Sequence, residues 1–488
     1  MNAPATPIQA PNAAPSPVPF SERISAMDIA RGFALLGILT VNFRFFSSPL
    51  GASLLPPGPD TPALDSAWWF IVYTFGESKF YTLFSLLFGM GFIILTDRAH
   101  ARRPESATPI ALRRFGFLAL LGFLHANLFW YGDILFVYAI GGLALLLVRR
   151  WKARTLAIVG AALILVAEIL VMLSLLLGML FANATTPPPE PAPSAIVTPD
   201  LPNNDPETEP TIDPETQAEP GTTPSDSETP VPSADPDASK SRTPAPFIAM
   251  QQSPEGPQSP VWMEAETLAY QKGPYLDLAI FRSVTWLAMF VFVIPFMGPR
   301  ILGLFLIGAA LIRSDFFNPR RARLHRTLVG TGLLIGLPAA ALAASGKLFI
   351  TPGDIAHPLN FAWQALYALG AIAIPFALLG AAALLATRAP TSPGLTRLLH
   401  PLACAGRLGL TNYLTQTLIA TTVFYYYGFG LFGKVNGLWP ATFVLGLYGC
   451  QLVFSTLYLK HFSIGPAEWL WRTVTYLRPV SFRDVKSQ

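Results

Sequence analysis

Asp28-Ile-Ala-Arg31-Gly32-Phe-Ala-Leu-Leu-Gly-Ile-Leu-Thr-Val-Asn42 puts a carboxylate, a guanidinium and an amide on a segment apolar enough to enter a bilayer. An ionisable group at the centre of a membrane helix costs about 3 kcal/mol or more, so such groups are paired, face other protein or mark a path. Asp28 and Arg31 are one helical turn apart and can pair on one face. Asn42 lies about three turns beyond Arg31 and returns to nearly the same face. The spacing thus predicts a membrane helix that is polar along one side and needs polar material opposite it.

The rest of the chain fits that setting. Of its 488 residues, 52% are hydrophobic and only 13% are charged, whereas soluble domains carry about a quarter charged residues. This composition predicts an all-α, polytopic integral-membrane helical bundle. Apolar runs of spanning or near-spanning length occur near 27–46, 79–97, 115–131, 134–149, 155–182, 299–313, 327–345, 361–387, 408–428 and 438–459. That gives ten spans, or eleven if 278–297 crosses completely; Arg282 interrupts this run and Pro295 ends it. Residues 66–77 look like a short interfacial or re-entrant piece.

Basic residues cluster at Arg98–Arg114, Arg149–Arg154, Arg313–Arg326, Arg388–Arg407 and Arg472–Arg478. If all face the cytoplasm, ten spans follow and both termini are cytoplasmic. The loops at 132–133, 346–360 and 429–437 then face outward. Five segments result. They are a disordered tail (1–22), a first membrane half of about five spans (23–182), a Pro-rich acidic insert expected to be a disordered extracytoplasmic loop (183–275), a second membrane half of about five spans (276–478) and a cytoplasmic tail (479–488).

Residues 187–246 hold 17 prolines and 12 acidic residues against Lys240 and Arg242. Such a stretch cannot bury a core and is expected to be disordered and extracytoplasmic. Cys404 and Cys450 offer neither a disulfide framework nor metal-ligand spacing, so no metal is expected. The basicity needs only the lipid bilayer as partner, and nothing points to nucleic acid. No basic n-region opens the chain, so targeting is expected to fall to the first membrane helix.

Two polar layers emerge from depth alone. In the helix Arg113–Asp133, His125 lies about 16 Å beyond Arg114, past the bilayer middle. There an imidazole serves as base, proton relay or hydrogen-bonded structural residue. Asn42, Glu77, Lys79 and Asp133 share its depth. Glu77 and Lys79 are two apart, so at most one need point inward, and Asp133 is also placed to cap the next helix. The second layer lies at the other side. It comprises Asp28, Arg31, Arg407 and Arg472, with Asn412 and Gln416 one turn apart; Glu468 is spaced to pair with Arg472.

These motifs resemble the YeiB family of bacterial inner-membrane proteins. The resemblance rests on Asp28-Ile-Ala-Arg31-Gly32 with Asn42, Lys79-Phe-Tyr-Thr-Leu-Phe-Ser-Leu-Leu-Phe-Gly-Met-Gly91, and Gly122-Phe-Leu-His125 with Gly132-Asp133. Gly406-Arg407-Leu-Gly-Leu-Thr-Asn412-Tyr413 and Gly465-Pro466-Ala-Glu468-Trp469-Leu-Trp-Arg472 complete it. It implies a multi-pass protein of the bacterial inner membrane. The opening motif is also similar to that of the heparan glucosaminide acetyltransferase-like and acyltransferase-three families, which carry acyl groups across a membrane onto sugars. Those families place a His at or shortly after the position of Asn42; here none follows until His100, which leaves His125 as the membrane-embedded base.

Two readings follow. In the first, acyl-CoA or a similar cytosolic thioester docks at Asp28, Arg31 and Arg407, with Glu77, Lys79, Asn412 and Gln416 as further binding residues. His125 then activates a small-molecule, lipid or glycan acceptor held by Asn42 and Asp133. In the second, a transporter or efflux component uses the same buried groups for substrate or proton passage. Either is compatible with a homodimer.

Overall fold

Inside a bilayer, backbone N–H and C=O groups have no partner but each other, so apolar runs fold as helices. The computed structural model describes residues 25–102, 105, 107–185, 251–253, 256–349 and 357–482. Among them there is no strand. The first half holds α1 (Ser25–Ser47), α2 (Leu50–Leu54), α3 (Ala63–Ile71), α4 (Lys79–Arg102), α5 (Ala107–Leu128), α6 (Leu135–Val148) and α7 (Ala153–Thr185). Then come α8 (Pro260–Lys272), α9 (Tyr275–Ala288), α10 (Ile294–Arg313), α11 (Ala322–Thr331), α12 (Leu337–Phe349) and α13 (Leu359–Arg388). The chain closes with α14 (Pro393–Arg407), α15 (Gly409–Phe424), α16 (Trp439–His461) and α17 (Pro466–Tyr476).

Eight helical runs are long and apolar enough to cross a membrane, and α6 is a shorter apolar helix. The protein is a multi-pass membrane protein. Its outer surface agrees: on α7, Ile158, Leu165, Ile169, Leu180 and Phe181 are all more than half exposed, which only lipid makes tolerable.

The run 278–297 is not a separate segment. It joins 299–313 in one helical run, Tyr275–Arg313, of 39 residues. Arg282 does not break it because the buried guanidinium donates to the Phe129 carbonyl (3.0 Å) and lies over the Tyr275 ring. A π-turn at Met289–Val293 precedes Pro295, which falls at the start of α10 where a missing N–H costs little. Residues 66–77 form α3 and a π-turn, Val72–Gly76, which the left-handed Ser78 (φ 63°) separates from α4.

The disordered reading of 183–275 fails at its C-terminal end, where α8 is a packed helix. Ser259 caps it by accepting from Trp262 N (3.1 Å), Pro260 begins it, and Gly273 (φ +75°) ends it. Trp262, Ala269 and Tyr270 are buried in the main core, so this stretch does gain apolar burial. Residues 186–250, the tail 1–22 and the end of the tail at 479–488 (483–488) lie outside the described residues.

α1 is the axis of the bundle, touching α4, α13, α14, α15 and α16. α10 packs between α7 and α4, while α11 and α12 pack on α13. Small residues set the closest crossing: a Cβ on Gly406 would lie 1.9 Å from the Asp28 carbonyl oxygen. Tyr448 on α16 donates to the carbonyl of Gly32 (2.6 Å), pinning a second helix to α1.

Candidate functional site

The polar side of α1 lines two cavities. At its N-terminal end, Asp28 and Arg31 pair at 2.7 Å, and Arg31 also donates to the Gly406 carbonyl at 3.2 Å. These groups border a cavity of about 530 Å³ between α1, α4, α5, α14, α15 and α17, within the range of small-molecule sites. Five arginines line it: Arg31, Arg98, Arg114, Arg407 and Arg472. Its acidic lining residues are three, Asp28, Asp97 and Glu468. Asp97 pairs with Arg313 (3.3 Å), and Glu468 is bound to backbone. The remaining wall is apolar and aromatic, through Phe84, Phe88, Phe92, Phe115 and Leu118 to Tyr138 and Tyr413.

The arginines are held in place by their surroundings. Arg114 stacks over the Trp471 ring at 3.6 Å, and the Trp471 indole donates to the Arg114 carbonyl. Arg407 donates to the Ser463 carbonyl. On α17, which does not span, burial lowers the affinity of the Arg472 guanidinium for its proton. Tyr476 and Glu468 oppose that effect, and Arg407 adds to it. Like charges brought together out of bulk water repel, and a bound anion relieves that repulsion.

The Glu468–Arg472 pair expected from spacing does not form. Glu468 accepts from Leu410 N (2.7 Å), Thr411 N (3.1 Å) and Thr411 Oγ1 (2.5 Å), and so caps the N-terminus of α15. A carboxylate there satisfies orphan donors and faces the positive end of the helix dipole.

Farther along α1, a second cavity of about 220 Å³ is bordered by Asn42, Ser78, Asp133, Tyr131 and Trp286. Ile38, Ile134 and Tyr413 border both cavities and form the partition between them. Beside that partition Nδ1 of the buried His125 is hydrogen-bonded to Asp133 Oδ2 at 2.8 Å, and its ring lies 5.4 Å from that of Tyr413. The other carboxylate oxygen, Oδ1, accepts from Phe136 N (2.9 Å), so Asp133 caps α6 as well. Among the described residues, His125 Nε2 has no hydrogen-bond partner. An ionised Asp133 favours the tautomer with hydrogen on Nδ1 and leaves Nε2 as a basic lone pair.

The comparisons bear on the same residues. A family model described as a protein of unknown function (DUF418) matches residues 311–478. The uncharacterized protein YeiB of Escherichia coli K12 is 30% identical over 472 residues, covering 93% of this chain and 96% of that protein. The chain belongs to the YeiB family. It is also 29% identical over 469 residues to the uncharacterized protein YxaH of Bacillus subtilis, with 94% and 95% of the two chains covered. An uncharacterized 39.9 kDa protein in the amylase 3' region of Bacillus acidopullulyticus is 27% identical over 465 residues, with 95% and 96% covered. No solved structure matches.

In this YeiB-family chain, the sequence-predicted residues divide. Asp28, Arg31 and Arg407 meet at the first cavity; Asn42 and Asp133 meet at the second, with His125 behind Asp133. Lys79 is buried but turned away, donating to the Tyr73 carbonyl (2.6 Å) and lying over the Tyr367 ring, and neither it nor Glu77 lines either of these two cavities. Asn412 donates to the Ala405 carbonyl and to Ser455, and Gln416 donates to Gln451. Asn412 thus binds α14 and α16 and Gln416 binds α16, and neither borders either cavity. Sequence reasoning used Arg98 and Arg114 only to set topology and missed them as cavity residues. It also missed the ion pair between Arg300 and Glu168 at 2.5 Å, although a lone Glu in the apolar run 155–182 was the available signal.

Proposed function

We propose that the protein transfers an acyl group from a cytosolic acyl thioester, acyl-CoA in class, to an acceptor on the opposite side of the membrane or within it. His125 is the general base. One observation carries the reading: the His125–Asp133 pair stands beside Tyr413, which the arginine-lined cavity and the second cavity share. The arginine-rich end faces the cytoplasm in this scheme, as the positive-inside rule favours. Arg31, Arg114, Arg407 and Arg472 hold the donor's phosphates, for which guanidinium groups are well suited. The apolar wall takes the acyl chain, and Asn42 orients the acceptor.

The test is transfer of label from radiolabelled acyl-CoA by the full chain in lipid nanodiscs. His125→Ala and Asp133→Asn should each lower the rate by about 10²–10⁴-fold, the usual worth of a positioned base. Transfer retained in His125→Ala would sink the mechanism. Arg31→Ala should weaken donor binding, measured directly with labelled acyl-CoA.

The Glu168–Arg300 pair favours a second reading, proton-coupled transport, because a part-buried ion pair within the membrane helices and off both cavities has no part in acyl transfer. That reading expects Glu168→Gln, and not His125→Ala, to abolish a proton flux measured with a pH dye in proteoliposomes.

A further inference from the structure

The second cavity has the chemistry of a lipid site. Its polar groups, Asn42, Ser78, Asp133 and the tyrosines Tyr81, Tyr131 and Tyr413, border it together with an almost wholly apolar wall from α9, the π-turn after it and α10, among them Trp286, Val293 and Met297. Among the described residues, the Asn42 side chain makes no hydrogen bond, although it is half-buried. Immediately outside this wall the surface is apolar too, with Leu287 55%, Val291 52% and Phe292 71% exposed. The wall includes the π-turn Met289–Val293, and π-turns within helices often mark functional sites. At about 220 Å³ the cavity is smaller than the ~300 Å³ at which typical ligand sites begin. A hydroxyl head and the first part of a chain fit inside, and the rest of the chain must run out along Val291 and Phe292 into the bilayer.

We infer that the second cavity binds the head of a hydroxyl-bearing membrane lipid, which is the acceptor of the acyl group. The lipid class rests on the cavity alone, whereas its role as acceptor rests on the acyl-transfer reading above. In that reaction Asn42 holds the lipid hydroxyl and the His125–Asp133 pair, of which Asp133 borders the cavity, takes its proton. The oxygen forms a C–O bond with the thioester carbonyl carbon, the C–S bond breaks, and the departing thiolate takes up the proton from the His125–Asp133 pair. Atoms and charge balance with the acyl thioester as the sole co-reactant.

Two measurements on the full chain in detergent keep the parts separate. The first is photolabelling with a long-chain fatty alcohol that carries a diazirine near its hydroxyl, followed by peptide mapping. Adducts should concentrate on Trp286–Met297, and Val293→Trp should cut them about tenfold, as a binding loss of about 1.4 kcal/mol would, while labelling of the exposed α7 face stays constant. Labelling spread evenly over the apolar belt, or unchanged in Val293→Trp, overturns the lipid site. Retention of acyl-CoA by Val293→Trp shows that the variant is folded. The second is the transfer assay with extraction of the product. Label in the organic phase supports the lipid acceptor, and label only on a water-soluble acceptor overturns it. Cavity labelling with no transfer from wild type leaves the lipid site standing and removes the acyl-transfer reading.

Discussion

Gly32, the residue that completes the opening motif, acts through its lack of a side chain. A Cβ there would lie 2.2 Å from the Leu402 carbonyl oxygen, and one on Gly406 would lie 1.9 Å from that of Asp28. The backbones of α1 and α14 therefore approach closely, as small residues permit in membrane bundles, and this brings the Gly406 carbonyl within reach of Arg31. Gly406→Ala forces the helices apart and should cost about 1–3 kcal/mol, as overpacking does. The expected result is a lower melting temperature in detergent together with weaker acyl-CoA binding; an unaltered melt would show that the crossing relaxes freely. Gly465 plays a similar part, since a Cβ there would meet Glu468 Oε2 at 2.2 Å. Glu468→Ala leaves Leu410 N and Thr411 N unsatisfied, and the loss should be about 1–3 kcal/mol. Glu468→Gln, which keeps an acceptor but no charge, should lose less on the same melting curve.

Among the elements, α8 carries a buried carboxyl that couples its packing to pH. Glu266 is 2% exposed and accepts from Leu50 N at 3.2 Å, which ties α8 to α2. Burial raises its carboxyl to about 8 from the usual 4.5, with the Leu50 N–H hydrogen bond opposing the shift. The folded state thus favours the neutral acid. Its contribution is fully present below pH 4.5 and is lost as pH rises through about 8, with a slope of at most about 1.4 kcal/mol per pH unit. Melting of the wild type should fall across that window, and Glu266→Gln should flatten the curve; parallel curves would show that the carboxyl stays ionised. The sequence concealed α8 because it follows a Pro-rich acidic stretch, and its apolar residues find their partners on distant helices. Other elements were legible for the opposite reason. The Asp28–Arg31 pair and the polar side of α1 depend only on helical spacing, and Asp133 as a cap depends only on its position before α6. Helical rotation is set by tertiary packing, so the sequence did not reveal that Asn412 and Gln416 face α16 or that Arg98 and Arg114 face a cavity. The capping of α15 by Glu468 joins residues 58 apart in sequence, beyond the reach of any local pattern.

For the whole molecule, orientation decides which ligands reach which cavity. Arg98 and Arg114 border the first cavity, and the Asp97–Arg313 pair lies at the same end, with Arg320 just beyond α10. The loop after α15 lies at the other end of α1, where Gly433 N donates to the Ser47 carbonyl. Positive-inside placement puts Arg320 in the cytoplasm and Asn436 outside, and both are exposed. With Cys404 and Cys450 replaced by Ser, single cysteines at these positions report the orientation directly. In intact bacterial cells a membrane-impermeant maleimide should label Asn436→Cys, and it should label Arg320→Cys only after permeabilisation. The reverse pattern would open the arginine-lined cavity to the outside, where no cytosolic thioester can enter it. Acyl transfer from acyl-CoA would then fail whatever the properties of His125, whereas the lipid-facing wall at Trp286–Met297 would keep its ligand class, because bilayer lies beside it in either orientation.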